Sequence, residues 1–131
     1  MWTRKASPEA KEVDVRAILQ GPLGVETWGL LTLDTGSPFS ILNIELANTI
    51  GLTEDLADGP SRLWGPTGAD DGYRIRATAI TTMGKTIGDF PIRCHHIAPG
   101  AKVDGVIGLD IIRRGRLVFD LPDGFVEFVW K

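Results

Sequence analysis

Apolar and polar positions alternate over short stretches through most of the chain, the period of half-buried strands rather than of helices. Val13, Val15, Ala17 and Leu19 interleave with Asp14, Arg16, Ile18 and Gln20, and a Gly-Pro-Leu-Gly turn at residues 21–24 follows. A second strand is expected over residues 25–33, closing on the apolar run Leu30, Leu31, Leu33 and delivering Asp34. A short strand at residues 39–42 leads to Asn43, a suitable cap for a brief helix that stops at Gly51. Residues 53–61 read as an acidic surface loop. Residues 62–76 read as two strands joined by a tip that Gly65, Pro66, Gly68 and Gly72 keep irregular. Tyr73, Ile75, Ala77 and Ala79 alternate with Arg74, Arg76, Thr78 and Ile80, again a strand. After a turn near Met83 and Gly84, a strand is expected around residues 90–97. A loop then precedes the apolar run Val106, Ile107, which runs into a short helix. The chain closes on two strands flanking Pro122, Asp123 and Gly124, a hairpin turn with proline at its second position.

Many short strands, one or two short helices and frequent glycine or proline punctuation define an all-β, closed β-barrel-like domain. The 131 residues suffice for one domain with a real core and are too few for two. Residues 1–11 are expected to form a flexible N-terminal arm, free to pair with a partner chain, and residues 12–131 the folded domain. The net charge of −3 disfavours nucleic acid as a partner. No stretch is apolar for long enough to span a bilayer, so no membrane is expected. The N-terminal residues lack the apolar core of a signal peptide, and Cys94 stands alone, so no intrachain disulfide forms. A cytoplasmic location is the expectation.

The chemistry concentrates in residues 30–40, LLTLDTGSPFS. A buried run ends on an acid, and Gly36 allows a sharp turn directly after it. A carboxylate held at the mouth of a core is costly unless bonded or paired. Asp34 is therefore either a turn-capping acid or a working group.

Three stretches, in order, resemble the retropepsin-like aspartic proteases, the single-lobed, retroviral-type enzymes and their cellular and bacterial relatives. The first is Asp34-Thr35-Gly36-Ser37 behind its apolar run, with a further serine at Ser40. The second is the glycine-containing hairpin around Trp64, Gly65, Pro66, Thr67 and Gly68, where the family has its flap. The third is Val106-Ile107-Gly108 before the helix, followed by a closing hairpin. The likeness spans about residues 13–128.

It implies an acid protease (retropepsin-like) fold and an aspartic endopeptidase acting as a homodimer, because one chain carries one Asp-Thr-Gly. Two copies of Asp34 would activate a water to attack a peptide bond of a substrate bound in extended conformation. By the same resemblance Thr35 would bond across the dimer, Gly36 would let the backbone approach the carboxylates, and Ser37 would donate to a carboxylate oxygen. Ser40, Ile107 and Gly108 would support the loop. No metal and no organic cofactor are implied. Two other readings are a weak or inactive peptide-binding or dimerisation module, and a domain that cuts only its own precursor.

Two departures from the family stand out. Leu109 occupies the position where retroviral enzymes usually have a dimer-bracing arginine. Asp70 and Asp71 make the hairpin acidic near its tip, which would disfavour acidic substrates or weaken closure. The hairpin letters also suit a plain surface hairpin. Among the remaining candidates, Asp110 reads as a helix cap. His95 and His96, adjacent on a strand, are expected on opposite faces and not as metal ligands. Cys94 reads as a small buried hydrophobe.

Overall fold

The computed structural model describes residues 1–66, 68–98 and 100–131. Six strands close into a barrel: β2 (Asp14–Gln20), β3 (Glu26–Leu33), β8 (Gly105–Ile107), β4 (Ile41–Asn43), β7 (Lys85–His95) and β6 (Gly68–Thr82), with β6 returning to β2. β5 (Gly59–Gly65) pairs with the first half of β6 outside this ring, and the two form a hairpin that extends beyond it. A second sheet contains β1 (Trp2–Lys5), β10 (Phe125–Trp130) and β9 (Gly115–Asp120), in that order.

The alternation read from the sequence fills the barrel. Val15, Ala17, Leu19, Leu31 and Leu33 point inward from β2 and β3, and Tyr73, Ile75, Ala77, Phe90 and Ile92 from β6 and β7, all of them buried. Each large aliphatic or aromatic side chain removed from water in this way contributes about 1.5–3 kcal/mol. The barrel is therefore a packed core, and its polar chemistry lies at the strand ends.

Three features shape the site. β3 and β8 are parallel, with Leu33 beside Ile107, so the end of β3 and the end of β8 emerge side by side. β4 runs antiparallel to β8 and parallel to β7, which threads the loop between β3 and β4 past β8. Two short helices follow these strands: α1 (Ile44–Thr49), with the Asn43 side chain accepting from Glu45 N at 3.0 Å, and α2 (Leu109–Ile112).

Several boundaries differ from the sequence expectation. The strand expected at residues 39–42 begins at Ile41, so Phe39 and Ser40 belong to the loop after Asp34. Residues 53–61 are not wholly loop: a 3-10 turn at Glu54–Leu56 leads into β5, where Pro60 is tolerated because β5 is an edge strand. β7 starts at Lys85, closing directly on β6 through a turn at Met83 and Gly84, both at positive φ. The N-terminal residues expected as a mobile arm include β1, which pairs with β10 of the same chain and sets Trp2 against the core. Among the described residues no helix is long and apolar enough to cross a membrane.

Candidate active site

Asp34 follows β3 directly. Its N–H donates to the carbonyl of Ile107 at 2.9 Å, so the β3–β8 ladder continues one residue past Leu33 and fixes the backbone of the acid. The chain then turns: Ser37 N donates to Asp34 O at 3.2 Å, and Gly36 N donates to Asp34 Oδ1 at 2.8 Å. One carboxylate oxygen is thus held by its own loop. Asp34 is half-buried, while Thr35 and Gly36 are exposed at the loop apex. A Cβ at Gly36 would lie 3.1 Å from Asp34 Oδ1, tight enough to disturb that bond.

The far side of the loop is anchored by Asp110. Its two oxygens accept from Ser40 N at 2.9 Å and from Ser40 Oγ at 2.7 Å, and Ser40 Oγ accepts from Gly108 N at 3.1 Å. Ser40 is 0% exposed, so its end of these bonds is shielded from water. Gly108 is squeezed against the same loop: a Cβ there would lie 2.5 Å from the carbonyl oxygen of Phe39. Ser37 O accepts from Leu109 N at 2.8 Å, which ties the loop to the first turn of α2.

Two expectations change here. Asp110 does not cap α2; Gly108 holds that position, and Asp110 sits one residue into the helix with its carboxylate turned to Ser40. Ser37 does not donate to Asp34; its hydroxyl reaches the carbonyl of Phe39 at 2.7 Å, because the loop folds back over itself within two residues.

Asp34, Thr35, Gly36, Ser37, Ser40, Ile107 and Gly108 therefore form one interlocked cluster. Trp64, Gly65, Pro66 and Gly68 lie apart from it at the tip of the β5–β6 hairpin, and Thr67 lies outside the described residues. Trp64 is 77% exposed, with the Arg62 guanidinium 5.6 Å from its ring. Among the described residues no hydrogen bond joins this tip to Asp34.

The hairpin is tied to the end of β7 by a network that the sequence did not reveal. His95, 0% exposed, places Nε2 2.8 Å from Ser61 Oγ on β5 and Nδ1 2.8 Å from Asp70 Oδ2 on β6. His96 adds its backbone N–H and its Nδ1 to the same carboxylate, at 3.2 and 3.1 Å. The two rings converge on one acid because β7 ends at His95, and His96 has left the strand. Burial pushes the Asp70 carboxyl up, but the hydrogen bonds from the two histidines outweigh it and hold the group below the usual carboxylate range.

Gly72 makes room for this contact, since a Cβ there would lie 2.8 Å from His95 Nδ1. The order Ser61, His95, Asp70 is that of a hydrolase triad. Ser61 is nevertheless buried, and Arg93 Nη1 also donates to its oxygen at 3.2 Å, so the hydroxyl is not presented to a substrate. Asp71 pairs with Arg62 across the hairpin at 2.7 Å. The two acids expected to charge the flap are both engaged.

Burial pushes the Cys94 thiol up to about 12, which leaves it an inert core residue. Among the described residues no three His, Cys, Asp or Glu side chains gather as a metal site.

No protein-family model and no curated protein matches the sequence. Solved structures match the fold. A retropepsin-like aspartic protease from Rickettsia conorii superposes with a TM-score of 0.70 at 13% identity, covering 98% of this chain and 99% of the other. The retroviral protease-like domain of Ddi1 from Leishmania major gives 0.60 at 23% identity, covering 92% and 96%. EIAV protease, in complex with the inhibitor HBY-793, gives 0.61 at 18% identity, covering 80% and 88%. At these identities the likeness is one of fold, and the fold is retropepsin-like.

Proposed function

We propose that this retropepsin-like chain is an aspartic endopeptidase that works as a homodimer, with Asp34 of each copy forming one catalytic pair. The observation that carries the reading is the placement of Asp34. It is half-buried at the open end of the barrel, anchored by the Ile107 carbonyl and the Gly36 N–H, with an exposed apex on its outer side.

A lone carboxylate held this way is a weak catalyst. Two of them brought together across a two-fold axis cannot both ionise, so they share one proton, and the charged member can act as base while the protonated member acts as acid. A water between them gives a proton to the charged carboxylate as its oxygen attacks the peptide carbonyl, whose oxygen takes the proton of the other acid. The tetrahedral intermediate collapses when the amide nitrogen is protonated and the C–N bond breaks, releasing an acid and an amine. Titration belongs to the pair and not to either copy.

The clamp formed by Asp110, Ser40 and Gly108 supports this role by holding the loop without occupying the Asp34 carboxylate. The β5–β6 hairpin is the flap of the proposal, closing over a peptide that binds as an added strand. Leu109 reaches Ser37 through its backbone and packs its side chain on the core, so dimer bracing falls to other contacts. The free edges of the three-stranded sheet, at β1 and β9, are the candidates. A reducing, cytoplasmic setting suits a single, buried cysteine.

Incubation of wild-type and Asp34→Asn protein with a mixed peptide library between about pH 4 and 7 tests the proposal. Internal cleavage that the substitution abolishes is the expected result. Cleavage that survives it contradicts the mechanism, and a dimer that binds peptides without cutting them replaces the enzyme with a binding module.

A further inference from the structure

Beside the Asp34 loop the surface opens into a cleft of about 490 Å³ whose lining includes Phe39 from that loop, Asp110 from its clamp, Asp58, and three arginines, Arg74, Arg76 and Arg93. Two carboxylates and three guanidiniums share it, and they are unevenly paired. Both oxygens of Asp110 are committed to Ser40. Arg76 faces Asp89 at 3.3 Å. Arg74 has no ion-pair partner among the described residues, and neither has Arg93.

Arg74 and Arg93 are also direct partners across the β6–β7 ladder. Like charges placed opposite each other weaken a sheet, and an anion shared between them removes that cost. Burial and the nearby Arg74 charge hold the Arg93 guanidinium below the usual arginine range, against the opposing pull of the Asp110 carboxylate. Its position is set: it lies 3.7 Å from the centre of the Phe39 ring and donates to Ser61. Arg74 has its own space, because Gly59 lies beneath it and a Cβ there would be 2.5 Å from Nη2. Two planar donor groups, one fixed and one free to adjust, face a cleft that begins five residues after the proposed catalytic acid. Guanidinium pairs of this kind suit a carboxylate, which they meet with paired hydrogen bonds.

We propose that this cleft is a specificity subsite in which Arg74 and Arg93 hold a glutamate or aspartate side chain of the peptide substrate. The assignment rests on the endopeptidase reading above and adds to it a charge preference. It also reverses the simple expectation from an acidic hairpin: Asp70 and Asp71 are engaged by His95, His96 and Arg62, whereas Arg74 and Arg93 by the catalytic loop have no direct ion pair among the described residues.

The test compares kcat/KM for peptides that carry glutamate or glutamine at each position around one cut, using wild type, Arg74→Gln and Arg74→Glu. The wild type is expected to prefer glutamate by about tenfold at one position, Arg74→Gln to lose most of that preference, and Arg74→Glu to reverse it. Arg74 is exposed, so the thermal midpoints of the variants should stay within about 2 °C of the wild type. Equal rates on glutamate and glutamine peptides at every position, or a preference that both variants retain, overturn the subsite.

If the wild type cuts no peptide, the endopeptidase reading fails by itself, and the cleft is tested by binding. Fluorescence anisotropy with glutamate-rich and glutamine-matched labelled peptides should then show about tenfold tighter binding of the acidic set, abolished in Arg74→Glu. Equal binding of the two sets refutes the cleft.

Discussion

Asp34 depends on Asp110, a residue 76 positions further along the chain, through the buried hydroxyl of Ser40. Replacing Asp110 with alanine leaves the buried Ser40 N and Oγ without their acceptor. We expect Asp110→Ala to cost roughly 2–4 kcal/mol of stability, read as a lowered urea midpoint, and Asp110→Asn, which keeps an acceptor, to cost less. Equal losses in the two variants would show that the bonds to Ser40 are not the cause.

Asp70 supplies a second prediction at this scale. Its carboxyl is held below its unfolded value of about 3.9, so its contribution is complete above that pH and disappears as the pH falls through the lower folded value. The stability difference between wild type and Asp70→Asn should shrink as the pH falls from about 5 toward 3. A difference that grows between about pH 5 and 3 would reverse the sign and reject the assignment.

Among the elements, the junction of β8 and α2 is tightly constrained. Gly108 has no room for a side chain against the Phe39 carbonyl, and its N–H is bound to Ser40. Gly108→Ala is expected to destabilise the fold by about 3 kcal/mol and to lower any peptidase activity further, because the strain falls on the loop that holds Asp34; thermal unfolding and peptide cleavage check the two parts. At the opposite sheet, β1 covers one edge of β10. Deleting residues 1–6 should lower the thermal midpoint by several degrees and promote association through the exposed strand, seen as added mass by light scattering. An unchanged midpoint would mean that β1 contributes no stability.

Seen as a whole molecule, the barrel was legible in the residues because strand periodicity survives burial. Val13 to Leu19 and Tyr73 to Ala79 alternate cleanly, and Asn43 caps α1 as its chemistry predicts. The Asp-Thr-Gly loop was legible because its order of acid, hydroxyl residue and glycine is local. What escaped was non-local. Nothing in the letters joins Asp110 to Ser40, Asp70 to His95 and His96, or Arg74 to Arg93, since each pairing follows from strand register and from glycines that leave space at Gly59 and Gly72. Ser37 departs from the family resemblance for the opposite reason: a turn bond to Phe39, two residues away, competes with the longer reach to Asp34.

The proposed catalytic centre requires Asp34 from two chains. Wild-type and Asp34→Asn protein, unfolded together, mixed at several ratios and refolded, provide the direct measurement. Peptide cleavage should fall as the square of the wild-type fraction, leaving about one quarter of the activity in an equal mixture. A linear fall, with about one half remaining, would mean that each chain acts alone and would contradict the account.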